Sequence, residues 1–171
     1  MTIGLKKGTV KLVAHSNKWK NEFEKEKERL VKHLGKMIVD IQHIGSTLIH
    51  RIKAKPIIDI AAGTRKAPDI KKLINPLKLL GYTFRKNTSI KGRHLFFAKG
   101  SEAKRTHYLH IEKFGGQRWK NDLKFRDRLN SNTKLAKRYE SLKITLADVC
   151  SENRKLYTKM KSKFIKDVIK S

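Results

Sequence analysis

A chain of 171 residues with 38% apolar content is long enough for one compact domain with a real core and short of room for a second. No run approaches the roughly 18 apolar residues that span a bilayer, the opening M-T-I-G-L-K-K lacks the apolar stretch of a secretory leader, and the single cysteine, Cys150, excludes an internal disulfide and matches no zinc spacing. The 42 Lys and Arg against 15 Asp and Glu, net +27, favour polyanionic partners such as nucleotides or RNA, although the lysines are scattered without a basic tail and name no function by themselves. The expectation is a soluble, cytoplasmic protein whose oligomeric state is open, with Cys150 a small buried side chain.

In chain order, T-V-K-L-V-A-H (9–15) reads as a short strand, and Ser16 as the cap of a helix in which Trp19, Phe23, Glu26 and Leu30 recur at helical spacing. Gly35 stops that helix. M-I-V-D-I-Q-H-I (37–44) alternates like a strand, P-I-I-D-I-A-A (56–62) reads as a buried strand, and a helix runs from Pro68 to Gly81. Two strands follow at 94–98 and 106–114, joined by a loop holding Gly100 and Ser101. After Gly115 and Gly116 the character becomes helical: 119–130, then Leu135, Tyr139, Leu142, Leu146 and Val149, then Leu156, Met160, Phe164 and Val168 in steps of four. This order predicts an α+β fold, a mixed β-sheet with helices on one face followed by C-terminal amphipathic helices. It forms one unit over 1–171, with a core at about 9–115 and a helical part at about 116–171.

Between the strands at 37–44 and 56–62 lies H-I-G-S-T-L-I-H-R-I-K-A-K-P-I-I-D. Glycine after a strand lets the backbone approach a ligand closely, and a serine whose turn opens into a helix offers a hydroxyl and free N–H groups to an anion. An acid on the neighbouring strand, Asp59, can hold a hard cation between itself and a phosphate. By period-two alternation Glu112 shares a strand face with His110. Asp40 reads as a surface residue.

H-I-G-S-T with A-K-P-I-I-D-I resembles the signature of the GrpB family, a branch of the nucleotidyltransferase-fold superfamily. Trp19 and Phe23, H-Y-L-H-I (107–111), F-R-D-R-L and Y-E-S-L-K-I-T-L-A extend the resemblance across residues 9–147. It implies a Mg²⁺- or Mn²⁺-dependent transfer of a nucleoside monophosphate from a nucleoside triphosphate to an acceptor, RNA such as tRNA or a small acidic metabolite. Its alternative is a non-catalytic nucleotide- or nucleic-acid-binding module of the same fold. Asp59 and His110 would be catalytic, and with Glu112 would hold the metal. Gly45, Ser46 and Thr47 would cradle a phosphate with His43 and Lys55 beside the nucleotide, and Arg126 and Lys143 would close over it. Each has a plain reading too: His43 and His110 as core histidines, Arg126 as the partner of Asp127. Two departures stand out. The position of a second acid is Ala61, and I-H-R-I (49–52) replaces the family's V-P-G-L, placing His50, Arg51 and Lys53 at the mouth of the pocket to favour a larger anion.

Overall fold

The computed structural model describes residues 3–171, and its first regular element is α1, Lys18–Leu34, whose buried face is Trp19, Phe23, Glu26, Leu30 and Leu34. Gly35, at φ 48°, ends it, a left-handed conformation that glycine adopts without steric cost. The one acid on that apolar face is matched: Lys99 Nζ donates to both Glu26 oxygens at 2.7 and 2.8 Å.

Five strands follow, β1 (Asp40–Ile44), β2 (Ile58–Thr64), β3 (Tyr82–Phe84), β4 (His94–Gly100) and β5 (Arg105–Lys113), in the spatial order β1-β2-β5-β4-β3. Only β2 and β5 run parallel. A parallel neighbour needs a long crossover, and α2 (Ile70–Leu79) with the β3–β4 hairpin supplies it. Register sorts the side chains into two faces. Ile41, Ile60, Ala62, Leu109, Ile111, Leu95 and Phe97 form one core with α1 and with Leu73 and Leu77 of α2. Ile44, Asp59, Ala61, Tyr108, His110 and Glu112 share the opposite face. There Trp119 and Leu123 of α3 (Gln117–Ser131) pack on Ile44 and Ala61. Two further helices, α4 (Thr133–Val149) and α5 (Arg154–Lys170), pack against α3. The fold is thus a mixed α+β sheet with α1 and α2 on one face and the C-terminal helices following.

Three local expectations change, and one strand, β3, is added that the sequence does not suggest. Residues 9–15 form no strand of the sheet: Val13 bridges Ala54, while Val10 packs against Leu146, Cys150 and Tyr157. Two apolar positions serving two clusters make a strap, not a strand. Ser16 does not cap α1 with its side chain; the helix begins at Lys18, and Ser16 gives only its carbonyl to Trp19 N–H at 3.0 Å. β3, only three residues long, is too short to show a period. The first half of the buried stripe of α5 is turned by one residue: Tyr157 and Lys161 are buried, while Leu156 and Met160 are 42% and 48% exposed; Val168 is buried and Phe164 packs beside it as expected.

That rotation fixes an outcome. Tyr157→Ala should lower unfolding stability by about 3–5 kcal/mol, as for a large buried aromatic, and Leu156→Ala by about 0.5 kcal/mol or less. Urea midpoints of the two variants measure the contrast, and equal losses would restore the stripe through Leu156.

Candidate functional site

The Gly-Ser turn and Asp59 meet because β1 and β2 are antiparallel neighbours with Ile44 opposite Asp59. Gly45, at φ 72°, follows directly, and a Cβ built on it would lie 2.6 Å from Asp59 Oδ2. Only glycine fits there. The turn does not open into a helix as expected; residues 45–51 make irregular turns. Thr47 anchors them, its Oγ1 2.9 Å from His43 Nε2.

His43 faces away from Asp59. It pairs with Ile60 in register, lies 4% exposed and stacks on Phe23 at 4.7 Å between ring centroids. Burial, and then the nearby Arg126, push its pKa down to about 3, so it is a neutral core histidine and not a nucleotide contact. Arg126 is likewise committed to the fold: it donates to Gln42 Oε1 at 2.9 Å and the His43 carbonyl at 3.2 Å, and pairs with Asp127 at 2.7 Å.

Asp59 itself is half-buried, with no hydrogen bond or ion pair within 4 Å among the described residues. Burial raises its pKa, while Lys55 and then Lys161 oppose the rise. Lys55, Lys161 and Arg154 act on it as nearby cations and Asp122 as a nearby acid, and Lys143 acts in turn on Lys55. Lys55 Nζ and Lys161 Nζ both lie over the Tyr157 ring, 5.3 and 4.4 Å from its centroid. Lys143, 1% exposed, donates to the Lys53 carbonyl and lies 4.9 Å from the Tyr139 centroid. Arg154 ties the chain near Thr9 to Tyr108, donating to the Thr9 carbonyl and the Tyr108 hydroxyl. Desolvation, then Lys161, lowers the Lys55 pKa, and desolvation lowers Lys143 to about 7.

His110 shares the face of Asp59 but sits one register step away, opposite Ala61. Its Nδ1 is 3.0 Å from His94 Nε2 and 3.4 Å from Arg118 Nη2. Glu112 lies a further step along, 2% exposed, with Arg118 Nε at 3.4 Å. Burial, then Asp122, raises its pKa to about 7. Asp59, His110 and Glu112 are therefore strung along the sheet, not gathered round a point. Among the described residues no three His, Cys, Asp or Glu side chains come together to hold a metal ion. Asp59, acted on by Lys55, Lys161 and Arg154 as well as by Asp122, does not suit a free Mg²⁺ or Mn²⁺, which takes oxygen ligands of negative character.

Two clefts lie elsewhere. His50 and Arg51, both exposed, line one of about 710 Å³ with His15 and Asn130. Arg51 has φ 62°, an uncommon conformation for a side-chain-bearing residue. Lys53 is held by its backbone, its N–H on Glu140 at 2.6 Å, and its exposed side chain is not among the lining. The other cleft, about 420 Å³, is lined by His94, Glu112, Arg118 and Trp119 among others. Sequence reasoning missed Lys161, Arg154 and Tyr157. The available signal was a lysine four residues after a tyrosine on a helix that buries both.

Fold and site together define an α+β protein that sets a Gly-Ser turn against a single acid on the adjoining strand, beneath a cover of lysines from its C-terminal helices. The chain belongs to the GrpB family, matching the GrpB protein family over residues 9–171. It is 39% identical over 170 residues, 98% of each chain, to the glutamate-rich protein GrpB of Alkalihalophilus pseudofirmus. It is 36% identical over 160 residues to the UPF0157 protein YqkA of Bacillus subtilis, covering 94% of this chain and 46% of that one. Its fold superimposes on the crystal structure of the conserved protein GrpB from Enterococcus faecalis with a TM-score of 0.84, at 30% identity, covering 94% and 95% of the two chains. No helix among the described residues is long and apolar enough to cross a membrane.

Two outcomes follow from the turn. Gly45→Ala should cost roughly 1–3 kcal/mol, from positive φ and the displaced carboxylate. Asp59→Ala in that background should recover part of the loss, which a double-mutant cycle in urea reads. His43 binds its proton more weakly folded than unfolded, so its neutral burial contributes stability present above about pH 6.5 and lost as pH falls toward about 3. Relative to the parent, His43→Gln should therefore gain about 1.4 kcal/mol per pH unit on acidification below that point; parallel stability–pH curves would refute it.

Proposed function

We propose that this chain binds the phosphates of a nucleoside triphosphate between the Gly45–Ser46 turn and Lys55, and transfers the nucleoside monophosphate to an acceptor hydroxyl. The observation that carries the reading is Lys55: half-buried beside Asp59, with no acid within 4 Å among the described residues. A desolvated, unpaired ammonium is costly until an anion reaches it. Gly45 lets the turn backbone lie directly against Asp59, and turn N–H groups beside it can meet phosphate oxygens.

In the transfer, the acceptor oxygen forms a bond to the α-phosphorus and the bond to the bridging oxygen breaks. Pyrophosphate leaves, and the acceptor proton passes to Asp59. Burial, which raises the Asp59 pKa, makes it a better base than an exposed carboxylate. Lysines fixed around the phosphates stabilise the charge that develops on the leaving group. RNA such as tRNA, or a small acidic metabolite, suits the acceptor side, where His50, Arg51 and Lys53 stand exposed.

The second reading, a nucleotide-binding module without transfer, draws on Ala61 in place of a second acid and on the absence, among the described residues, of a metal-holding group. Incubation with each α-labelled nucleoside triphosphate, with and without Mg²⁺, plus total RNA or a metabolite extract, separates the two. Label should move to one acceptor, and Asp59→Asn should abolish that movement while nucleotide still binds. Saturable binding without movement of label selects the module; transfer undiminished in Asp59→Asn would remove Asp59 from the chemistry.

A further inference from the structure

We infer that Lys55 and Lys161 form a clamp for a polyphosphate that works without a divalent cation, so that α5 is part of the binding site. The inference rests on the nucleotide-binding reading above and adds to it the identity of the clamp and its independence of metal.

The two lysines come from distant parts of the sequence, one from the loop before β2 and one from the middle of α5, yet both ammonium groups stand over one Tyr157 ring. Lys161 is 9% exposed and Tyr157 fully buried. Neither lysine has an acidic partner within 4 Å among the described residues. The Tyr157 hydroxyl is buried without a hydrogen-bond partner. An aromatic face offsets part of the cost of desolvating an ammonium, but two ammoniums sharing one ring also repel each other. On Lys55 the influence of Lys161 exceeds that of Asp59. Around the two lysines the protein as folded is therefore short of negative charge.

A polyphosphate supplies that charge. Its oxygens accept from Lys55 and Lys161, with Lys143 and Arg154 as further cations. A divalent ion does the reverse, adding positive charge where Lys55, Lys161 and Arg154 already surround Asp59, with Asp122 the one further acid acting on it. In many transferases the ion's task is to neutralise the phosphates, and here two lysines occupy that role.

The experiment is a titration of the full chain with inorganic tripolyphosphate and with ATP, in EDTA and in excess Mg²⁺. Saturable binding should survive EDTA. Lys161→Met keeps the apolar stem on Tyr157 and should weaken binding by about tenfold to a hundredfold, the loss of one charged hydrogen bond, with its thermal melt within reach of the parent's. Lys71→Gln with Lys72→Gln, on α2 across the sheet, should leave binding within about twofold if the effect is local and not one of net charge. Binding abolished by EDTA, unchanged in Lys161→Met, or weakened equally in the α2 variant overturns the clamp and leaves nucleotide binding standing. No saturable binding of either ligand under any condition overturns the clamp and the nucleotide reading together.

Discussion

The contact between Gly45 and Asp59 is the constraint on which the site depends. A hypothetical methyl group at residue 45 would sit 2.6 Å from Asp59 Oδ2 and 3.0 Å from its Cβ, so the turn after β1 lies flat on the acid of β2. This works only with the observed register, Ile44 opposite Asp59. A slip of one residue would point Asp59 into the core that α1 and α2 cover, where nothing compensates a carboxylate. The register is held from the other face by Ile41, Ile60 and Ala62, and the turn is held by the His43–Thr47 bond. The packing of one face of the sheet thus sets the chemistry of the other.

Above Asp59 the polar groups are arranged by helices, not by strands. Lys143 reaches the Lys53 carbonyl and Glu140 accepts the Lys53 N–H, so α4 grips the loop that carries Lys55 from both sides of one residue. Arg154, at the start of α5, holds the Thr9 carbonyl and the Tyr108 hydroxyl. These bonds satisfy buried groups that would otherwise cost stability. They also fix where Lys55 and Lys161 can point. Of the four cations, two are spent on structure and two are left without partners, and the unpartnered pair is what distinguishes a site from a well-satisfied core.

The sequence showed most of the sheet because β2, β4 and β5 are long enough to display their apolar character, and α1 because Trp19, Phe23 and Leu30 keep a helical period. It hid β3, three residues long, and it misplaced residues 9–15, where local β character gave way to two separate packing partners. In the site, the Gly-Ser turn and Asp59 were readable from their spacing, since adjacent antiparallel strands must bring them together. His43 and Arg126 were not, because the face on which a residue falls depends on register, which no local pattern encodes. Lys161 was hidden for a different reason: a lysine on a helix is read as exposed, and the apolar alternatives Leu156 and Met160 sat one position away.

That misreading bears on the net charge of +27. Exposed charges are screened within about 8 Å at physiological salt, and individually they contribute little to one ligand. Lys55 and Lys161 differ from the scattered surface lysines in being held over a buried ring with no acid paired to them, and in that setting each retains a large part of its interaction with an anion. On the clamp proposed above, the capacity to bind a compact polyanion resides in where two of the 42 basic residues are placed, and the remaining excess governs how fast such a ligand arrives more than how tightly it is held.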